Sequence, residues 1–193
     1  MNKNFSQLAL LLTLALTATT TSAHTGAHNI DGFISGLSHP FLGLDHLLVM
    51  LGVGLWASRL NRLNASLTIA AFLSFMAIGA GLAVFGLNIQ GVETGILVSV
   101  LITGLLLASP RQLPTALIGA LLASFAVLHG FAHGIEMPLA TEPVHYALGF
   151  LLATTVLHGI GLGLGVLLSK HQLGLRVSGY ITSGLGLYLL INA

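Results

Sequence analysis

Long apolar stretches alternate with short polar connections along most of this 193-residue chain. After residue 31, six stretches each have about the length that an α-helix needs to cross the hydrocarbon of a bilayer. They lack the alternation of apolar and polar positions that is typical of membrane β-strands, and the connections contain the Asn, Gly and Pro that end helices. We therefore predict an all-α membrane protein, a bundle of six transmembrane helices. The predicted spans are residues 38–58, 65–87, 92–108, 114–134, 143–168 and 173–191.

The first 23 residues have the pattern of a secretory signal peptide. Lys3 lies in a short polar region, an apolar core extends from Leu8 to about Leu16, and small residues lead to a cleavage site after Ala23. This core is shorter than the roughly 20 residues of a membrane span. The alternative is an uncleaved anchor helix. Cleavage predicts a mature chain, residues 24–193, that forms a single six-helix domain beginning at His24.

Composition supports membrane insertion, since 55% of the residues are hydrophobic and only 6% are charged. A soluble domain carries about 25% charged residues, so too few polar side chains remain to cover a surface in water. The basic clusters that nucleic-acid binding requires are missing from the sequence, and we expect no nucleic-acid partner. The absence of cysteine excludes disulfides, thiolate metal sites and cysteine nucleophiles.

The distribution of charge predicts the orientation of the bundle. All basic residues after the signal segment fall at one end of the predicted spans, and the positive-inside rule makes that end cytoplasmic. Signal cleavage independently places the mature N-terminus outside, so we expect both termini in the periplasm and the protein in a bacterial inner membrane. The basic residues are Arg59, Arg62, Arg111, Lys170 and Arg176. The acidic residues Asp31, Glu93, Glu136 and Glu142 fall at the other end.

Glycine is abundant, with 24 residues, and Gly161 and Gly165 have the spacing that lets membrane helices approach closely. A phosphate-binding loop is excluded because no strand precedes these glycines and they lie within a predicted span. Close helix packing is the interpretation that we adopt.

The stretch HPFLGLDH, residues 39–46, places ionisable side chains at the start of the first predicted span. Such groups within membranes are costly, and they usually face the bundle interior and mark a functional path. His39 and His46 are seven residues apart, two turns of a straight helix, so they are expected on one face, with Asp45 beside them. Pro40 suits the first turn of a helix, where its missing N–H costs little.

A second polar stretch, LHGFAHGIE, lies at the end of the fourth predicted span. His129, His133 and Glu136 follow the i, i+4, i+7 spacing of one helical stripe, while Glu93 opens the third span and His158 lies on the fifth. At about 1.5 Å per residue, these groups and those of the first stretch lie roughly 18–30 Å above the cytoplasmic charges. Four spans thus contribute to one level in the outer half of the bilayer.

Imidazole and carboxylate without thiolate favour a borderline divalent cation such as Ni²⁺, Co²⁺, Zn²⁺ or Cu²⁺. The ion is expected as cargo, and no tightly bound cofactor is expected. Each residue also has a structural alternative. The two stretches can form a buried hydrogen-bond network, His158 can bond a neighbouring helix, and His145 can lie at the interface. His171 can be a solvated loop residue, and His24 and His28 can be tail residues, although an N-terminal His chelates through its amine and ring.

Both stretches match motifs of a known family. HPFLGLDHLLVMLGVGLWA resembles the first-span signature of the HupE/UreJ family, with His-x5-Asp-His as its core, and LHGFAHGIE resembles the second motif, Phe-His-Gly-x-Ala-His-Gly-x-Glu. Leu128 departs from the pattern where Phe is expected, which affects packing more than ligation. The signal segment, the His-containing mature start and the six spans extend the likeness over essentially the whole chain.

The resemblance implies a secondary permease for nickel, or cobalt, with zinc ranked behind them, that supplies hydrogenase or urease. The implied activity is facilitated uptake from the periplasm, and no enzyme activity is expected. Downstream hydrogenase or urease metallochaperones are candidate partners besides the ion and the lipid bilayer, and the sequence leaves open whether the chain forms a homo-oligomer. The predicted metal-binding residues are His24, His28, His39, Asp45, His46, Glu93, His129, His133, Glu136 and His158.

Three alternatives to a permease stay open on the residues alone. Paired histidines on facing spans can ligate haem b in a membrane electron carrier. A structural accessory protein of metal metabolism would carry the same groups without transporting an ion. The His-x3-His spacing of HGFAH also occurs in zinc proteases, but Gly130 stands where those enzymes carry the general-base Glu.

Overall fold

A computed structural model describes residues 32–110, 113–138, 141–169 and 172–193. These residues form seven α-helices and no strand. The helices are α1 (Gly32–Leu42), α2 (Leu44–Ala57), α3 (Arg62–Val84), α4 (Val92–Ala108), α5 (Thr115–Ile135), α6 (Pro143–Leu168) and α7 (Gln172–Ile191). The signal segment and the predicted residues His24, His28, Asp31, Arg111, Lys170 and His171 lie outside the described residues.

Several of the described helices have the length and composition of membrane spans. α3, α5 and α6 are each long and apolar enough to cross a bilayer, and the bent pair α1–α2 provides a fourth span if the two helices cross together. α4 is equally apolar but has only 17 residues, which is at the lower limit for a span. The helical class predicted from the sequence is therefore confirmed.

The first predicted span, residues 38–58, is two helices rather than one. α1 begins at Gly32, and α1 and α2 meet at Gly43 with a bend of 82°. Pro40 lies inside α1 near its C-terminal end, so its expected place in the first turn of the span was wrong. A proline in a helix interior removes one backbone donor and clashes with the preceding turn, which favours ending the helix within a few residues.

Gly43 is extended, with φ −94° and ψ 120°, and it leaves room for two functional side chains. A Cβ at this position would lie 2.9 Å from Asp45 Oδ1 and 3.0 Å from His46 Nδ1. The break therefore presents the first two polar side chains of α2 at the corner of the bent pair.

Glycines allow the helices to approach backbone to backbone. A Cβ at Gly130 on α5 would overlap the carbonyl oxygen of Met76 on α3, and one at Gly161 on α6 would overlap the carbonyl oxygen of Leu51 on α2. Gly165, one turn further on, makes room for the side chain of Ser58, which a Cβ would overlap. The close packing predicted for Gly161 and Gly165 is thus confirmed, and Gly130 has a packing reason of its own.

The connections divide the bundle into two ends of opposite charge. One end, called the acidic end, carries Asp45, Glu93, Glu136 and Glu142, and the other, called the basic end, carries Arg59, Arg62 and Arg176. α3 packs mainly on α5, α4 on α7, and both α1 and α2 on α6. An apolar core between these helices includes Val49, Met50, Phe72, Met76, Phe125, Ala126, Tyr146, Phe150 and Leu157. Four histidines are buried alongside it, His46, His129, His133 and His158.

Candidate metal centre

The outermost contact of the site joins α1 to the end of α5. His39 Nε2 lies 2.8 Å from Glu136 Oε2, so the ring N–H donates to the carboxylate. Glu136 caps the C-terminal end of α5 and is exposed, while His39 is half-buried. This pair therefore stands at the entrance of the site, where water still reaches it.

His133 lies directly beneath this pair, on the last turn of α5. Its ring centroid is 4.9 Å from that of His39 and 4.6 Å from that of His46, and it stacks on Phe150 at 5.0 Å. His133 is fully buried, and neither ring nitrogen has a hydrogen-bond partner among the described residues. It is the central side chain of the cluster.

His46 is oriented by the residue before it. Its Nδ1 lies 2.9 Å from Asp45 Oδ1, and the same oxygen accepts the His46 backbone N–H at 2.8 Å. The carboxylate therefore holds the proton on Nδ1 and leaves the lone pair on Nε2. This is the arrangement by which an outer carboxylate prepares a histidine for a metal ion.

His129 and His158 are oriented by backbone carbonyls of their own helices. Nδ1 of His129 donates to the Phe125 carbonyl at 2.8 Å, and Nδ1 of His158 donates to the Thr154 carbonyl at 2.7 Å. Both rings are fully buried. Each bond again assigns the proton to Nδ1 and leaves the Nε2 lone pair free.

Five buried ring nitrogens in this cluster lack a hydrogen-bond partner within the described part of the chain. They are Nε2 of His46, His129 and His158 and both nitrogens of His133. An unsatisfied buried polar atom costs about 1–3 kcal/mol, so proteins keep such groups where a ligand or water completes them. Neutral His133 carries a proton on one of its two nitrogens, so each of the four rings offers one lone pair to a cation.

The tightest candidate ligand set contains His39, His133 and Glu136, with one ligand atom of each lying within 4.8 Å of the others. Bonds of about 2.0–2.2 Å to a divalent ion place two of its ligands no more than about 4.4 Å apart. A small inward movement of the three side chains would therefore close the set around one ion. The His39–Glu136 hydrogen bond must open for the ion to enter.

The remaining predicted residues are placed around this set. His46 and His129 continue inward, with ring centroids 5.1 Å apart, and His158 lies deeper, against Phe72. Glu93 is exposed in the first turn of α4 and interacts electrostatically with Glu136, Asp45 and His46 without belonging to the tightest set. That these residues bind metal stays a prediction.

His145 is a separate case. It is exposed in the first turn of α6 and its ring contacts the carboxylate of Glu142, the residue before the helix, which agrees with an interfacial residue. It provides a natural control position, because it is a histidine at the same end of the protein but outside the cluster.

Sequence reasoning missed the aromatic wall of the site. Tyr146 is buried, its ring centroid lies 6.0 Å from that of His39, and its hydroxyl has no hydrogen-bond partner among the described residues. Phe150, one turn further along α6, stacks on His133. The sequence contained a signal for this surface, since one face of α6 carries a residue of this set every four positions. The set is Tyr146, Phe150, Thr154 and His158.

The charge of the site suits a divalent cation. Asp45, Glu93 and Glu136 lie at the acidic end, whereas the described Arg residues lie at the basic end. In the low dielectric of a bilayer a bare divalent ion needs opposite charge close to it. The acidic end therefore offers compensating charge together with neutral nitrogen ligands.

These features define a class, a helical membrane protein with a cluster of buried histidines and more exposed carboxylates that opens at one end. The chain belongs to the HupE/UreJ family, since the family described as "HupE / UreJ protein" matches residues 11–189. It is also 37% identical over 190 residues to "Protein HupE" of Rhizobium leguminosarum bv. viciae, covering 97% of this chain and 99% of the relative. No solved structure matches the chain. The expected family membership is thereby confirmed.

Proposed function

We propose that this protein is a secondary permease that carries a divalent transition metal ion, Ni²⁺ or Co²⁺, from the periplasm to the cytoplasm. The observation that carries the proposal is the chain of four buried histidines, His46, His129, His133 and His158, that continues inward from the His39–Glu136 pair. Buried nitrogens without partners, at successive depths, are what an ion needs to move inward by exchanging one ligand for the next.

The path begins at the surface and proceeds by short steps. Glu136 and His39 receive the ion as it sheds water, and His133 completes the first set. His46 and His129 follow, because the His133 ring contacts His46 and the His46 ring contacts His129. Because each of these sites offers few protein ligands, it binds the ion weakly enough to release it to the next site.

The choice of metal rests on two arguments of different kinds. Imidazole with carboxylate suits a borderline divalent ion, and the cysteine-free chain lacks the soft thiolates that select Cu(I). The preference for nickel and cobalt over zinc rests on the family, which implies metal supply to hydrogenase or urease. Delivery to the metallochaperones of those enzymes is part of the proposal.

The proposed topology has six spans, both mature termini in the periplasm, and the site in the outer half of the inner membrane. Arg59, Arg62 and Arg176 at the basic end support a cytoplasmic position for that end. An alkaline phosphatase fusion after Ala193 tests the orientation, because this enzyme becomes active only in the periplasm. A fusion that is stable but inactive would place the C-terminus in the cytoplasm and contradict the proposed topology.

Accumulation of ⁶³Ni in cells without their own nickel importers tests the proposed activity. Expression of the chain should raise the initial rate, and His133→Ala should return it to background, while the matched control His145→Ala transports normally. Expression without any gain in uptake would support a structural accessory protein instead. A Soret band in the purified protein would support the haem-carrier alternative.

A further inference from the structure

A cavity of about 570 Å³ lies at the basic end, on the far side of the bundle from the acidic entrance. Its lining includes Trp56 and Arg59 from the end of α2, Asn64 and Thr68 on α3, and Ile118 on α5. At about 30 Å³ per molecule in the liquid, this volume accommodates more than ten waters. The cavity is therefore large enough for an ion with its hydration shell.

Phe72 is the side chain shared by the cavity and the histidine cluster. It lines the cavity, and its ring centroid lies 5.1 Å from that of His158 and 6.5 Å from that of His129. The ring is only 1% exposed. Phe72 follows Arg62 by ten residues, so it lies roughly 15 Å along α3 from the basic end, near mid-membrane.

Polar residues lead from the basic end to this ring along one face of α3. Asn64, Thr68 and Phe72 recur every four residues, and all three line the cavity. Asn64, close to Arg62, lies at the basic end where water reaches it, and Thr68, one turn further in, continues the polar stripe into the cavity. The stripe favours water in the cavity over lipid chains.

The positive charge of Arg59 at the mouth of the cavity is partly offset by backbone carbonyls. Its guanidinium donates to the carbonyls of Leu106, at 3.1 Å, and of Leu107 at the C-terminal end of α4. These carbonyls form the negative end of the helix dipole, which offsets part of the arginine charge. The arginine thereby joins α2 to α4 and frames the opening.

We infer that this cavity is the cytoplasmic vestibule of the permease and that Phe72 is the barrier between it and the last histidine, His158. The inference rests on the proposed function for its direction of transport. The hydrated divalent cation is the occupant of the vestibule, and the Phe72 ring lies between that water and the nitrogen site. Movement of the Phe72 ring would connect the two compartments.

The absence of cysteine allows a direct test by labelling, which does not depend on transport. Thr68→Cys places a thiol in the vestibule, and Ser74→Cys on the exposed face of the same helix is the matched control. With a cationic, membrane-impermeant methanethiosulfonate, Thr68→Cys should react in inverted vesicles and not in spheroplasts, and Ser74→Cys in neither. A thiol at 68 that is unreactive from both sides would mean a lipid-filled cavity and overturn the vestibule.

The barrier is tested in a second arm with His158→Cys as the reporter. From the cytoplasmic side it should label slowly when Phe72 is intact and several-fold faster with Phe72→Ala. Phe72→Leu keeps an apolar side chain for the case in which alanine impairs folding, and it should give an intermediate rate. Phe75→Ala, which trims a more exposed phenylalanine of the same cavity, is the control and should leave labelling unchanged.

The outcomes separate the two proposals. Equal labelling of His158→Cys with and without Phe72, in protein that stays monodisperse in detergent, would eliminate the barrier. Normal vestibule labelling in a protein that does not accumulate ⁶³Ni would overturn the permease and leave the vestibule standing. Normal ⁶³Ni uptake with an unreactive Thr68→Cys would overturn the vestibule and leave the permease standing.

Discussion

His39 on α1 and Glu136 at the C-terminal cap of α5, separated by 97 positions in the chain, meet at 2.8 Å. The contact exists because the 82° bend at Gly43 carries α1 away from the axis of α2, while Glu136 lies just past the last turn of α5. It links the two polar stretches of the chain into one entrance.

Glu136 should be needed for capture of the ion at low concentration. Glu136→Gln keeps the side-chain shape and a hydrogen bond to His39 but removes the negative charge that compensates the cation. We expect a raised KM for ⁶³Ni uptake with a smaller change in maximal rate. Glu142→Gln is the matched control, since Glu142 is also exposed, at the same end, and paired with a histidine. Equal effects of the two substitutions would argue for general surface charge instead of a ligand.

Asp45 should act through His46. Replacing the carboxylate partner of a metal-binding histidine commonly lowers metal affinity by about 10- to 100-fold. Asp45→Asn retains an oxygen that can accept the His46 N–H, so it should lose less affinity than Asp45→Ala. Isothermal titration calorimetry of the purified variants with NiCl₂ measures the order of their nickel affinities. An unchanged affinity in Asp45→Ala would remove Asp45 from the site.

Uptake should fall as the external pH drops through the range in which histidine titrates. Protonated imidazole has no lone pair for a metal, and the unperturbed pKa of histidine is about 6.5. Transport should therefore be higher above this pH and lower below it. Proteoliposomes held at a fixed membrane potential, with a nickel-sensitive dye inside, give the profile. A constant rate down to about pH 5 would contradict ligation by histidine.

Gly130 should be required for packing. A Cβ at this position would overlap the Met76 carbonyl, so Gly130→Ala must push α3 and α5 apart and shift His129 and His133. We expect a lower melting temperature in detergent and less monodisperse protein. Gly81→Ala on α3 is the control, because no atom of the described residues lies within 4 Å of its Cβ position and alanine suits a helix better than glycine. If both variants melt alike, close approach of the two helices is not what Gly130 provides.

The path inward from the entrance was only partly predictable from the sequence. The stripe of His129, His133 and Glu136 follows from helical spacing, and the structure places all three beside α1 and α2. His39 and His46 were expected to share a face of one straight helix. They approach each other, with ring centroids 6.3 Å apart, across the corner of the bent pair instead.

The sequence by itself determined the helical membrane class, the inventory of ligands and the two motifs, because hydropathy and helical periodicity are local properties of the chain. Only the tertiary structure decided the bend at Gly43, the aromatic wall of Tyr146 and Phe150, and the position of Phe72 between His158 and the inner cavity. These features depend on how closely neighbouring helices approach. That distance is set by glycines of one helix facing backbone atoms of another, and such pairings between distant positions are not contained in the pattern of any single segment.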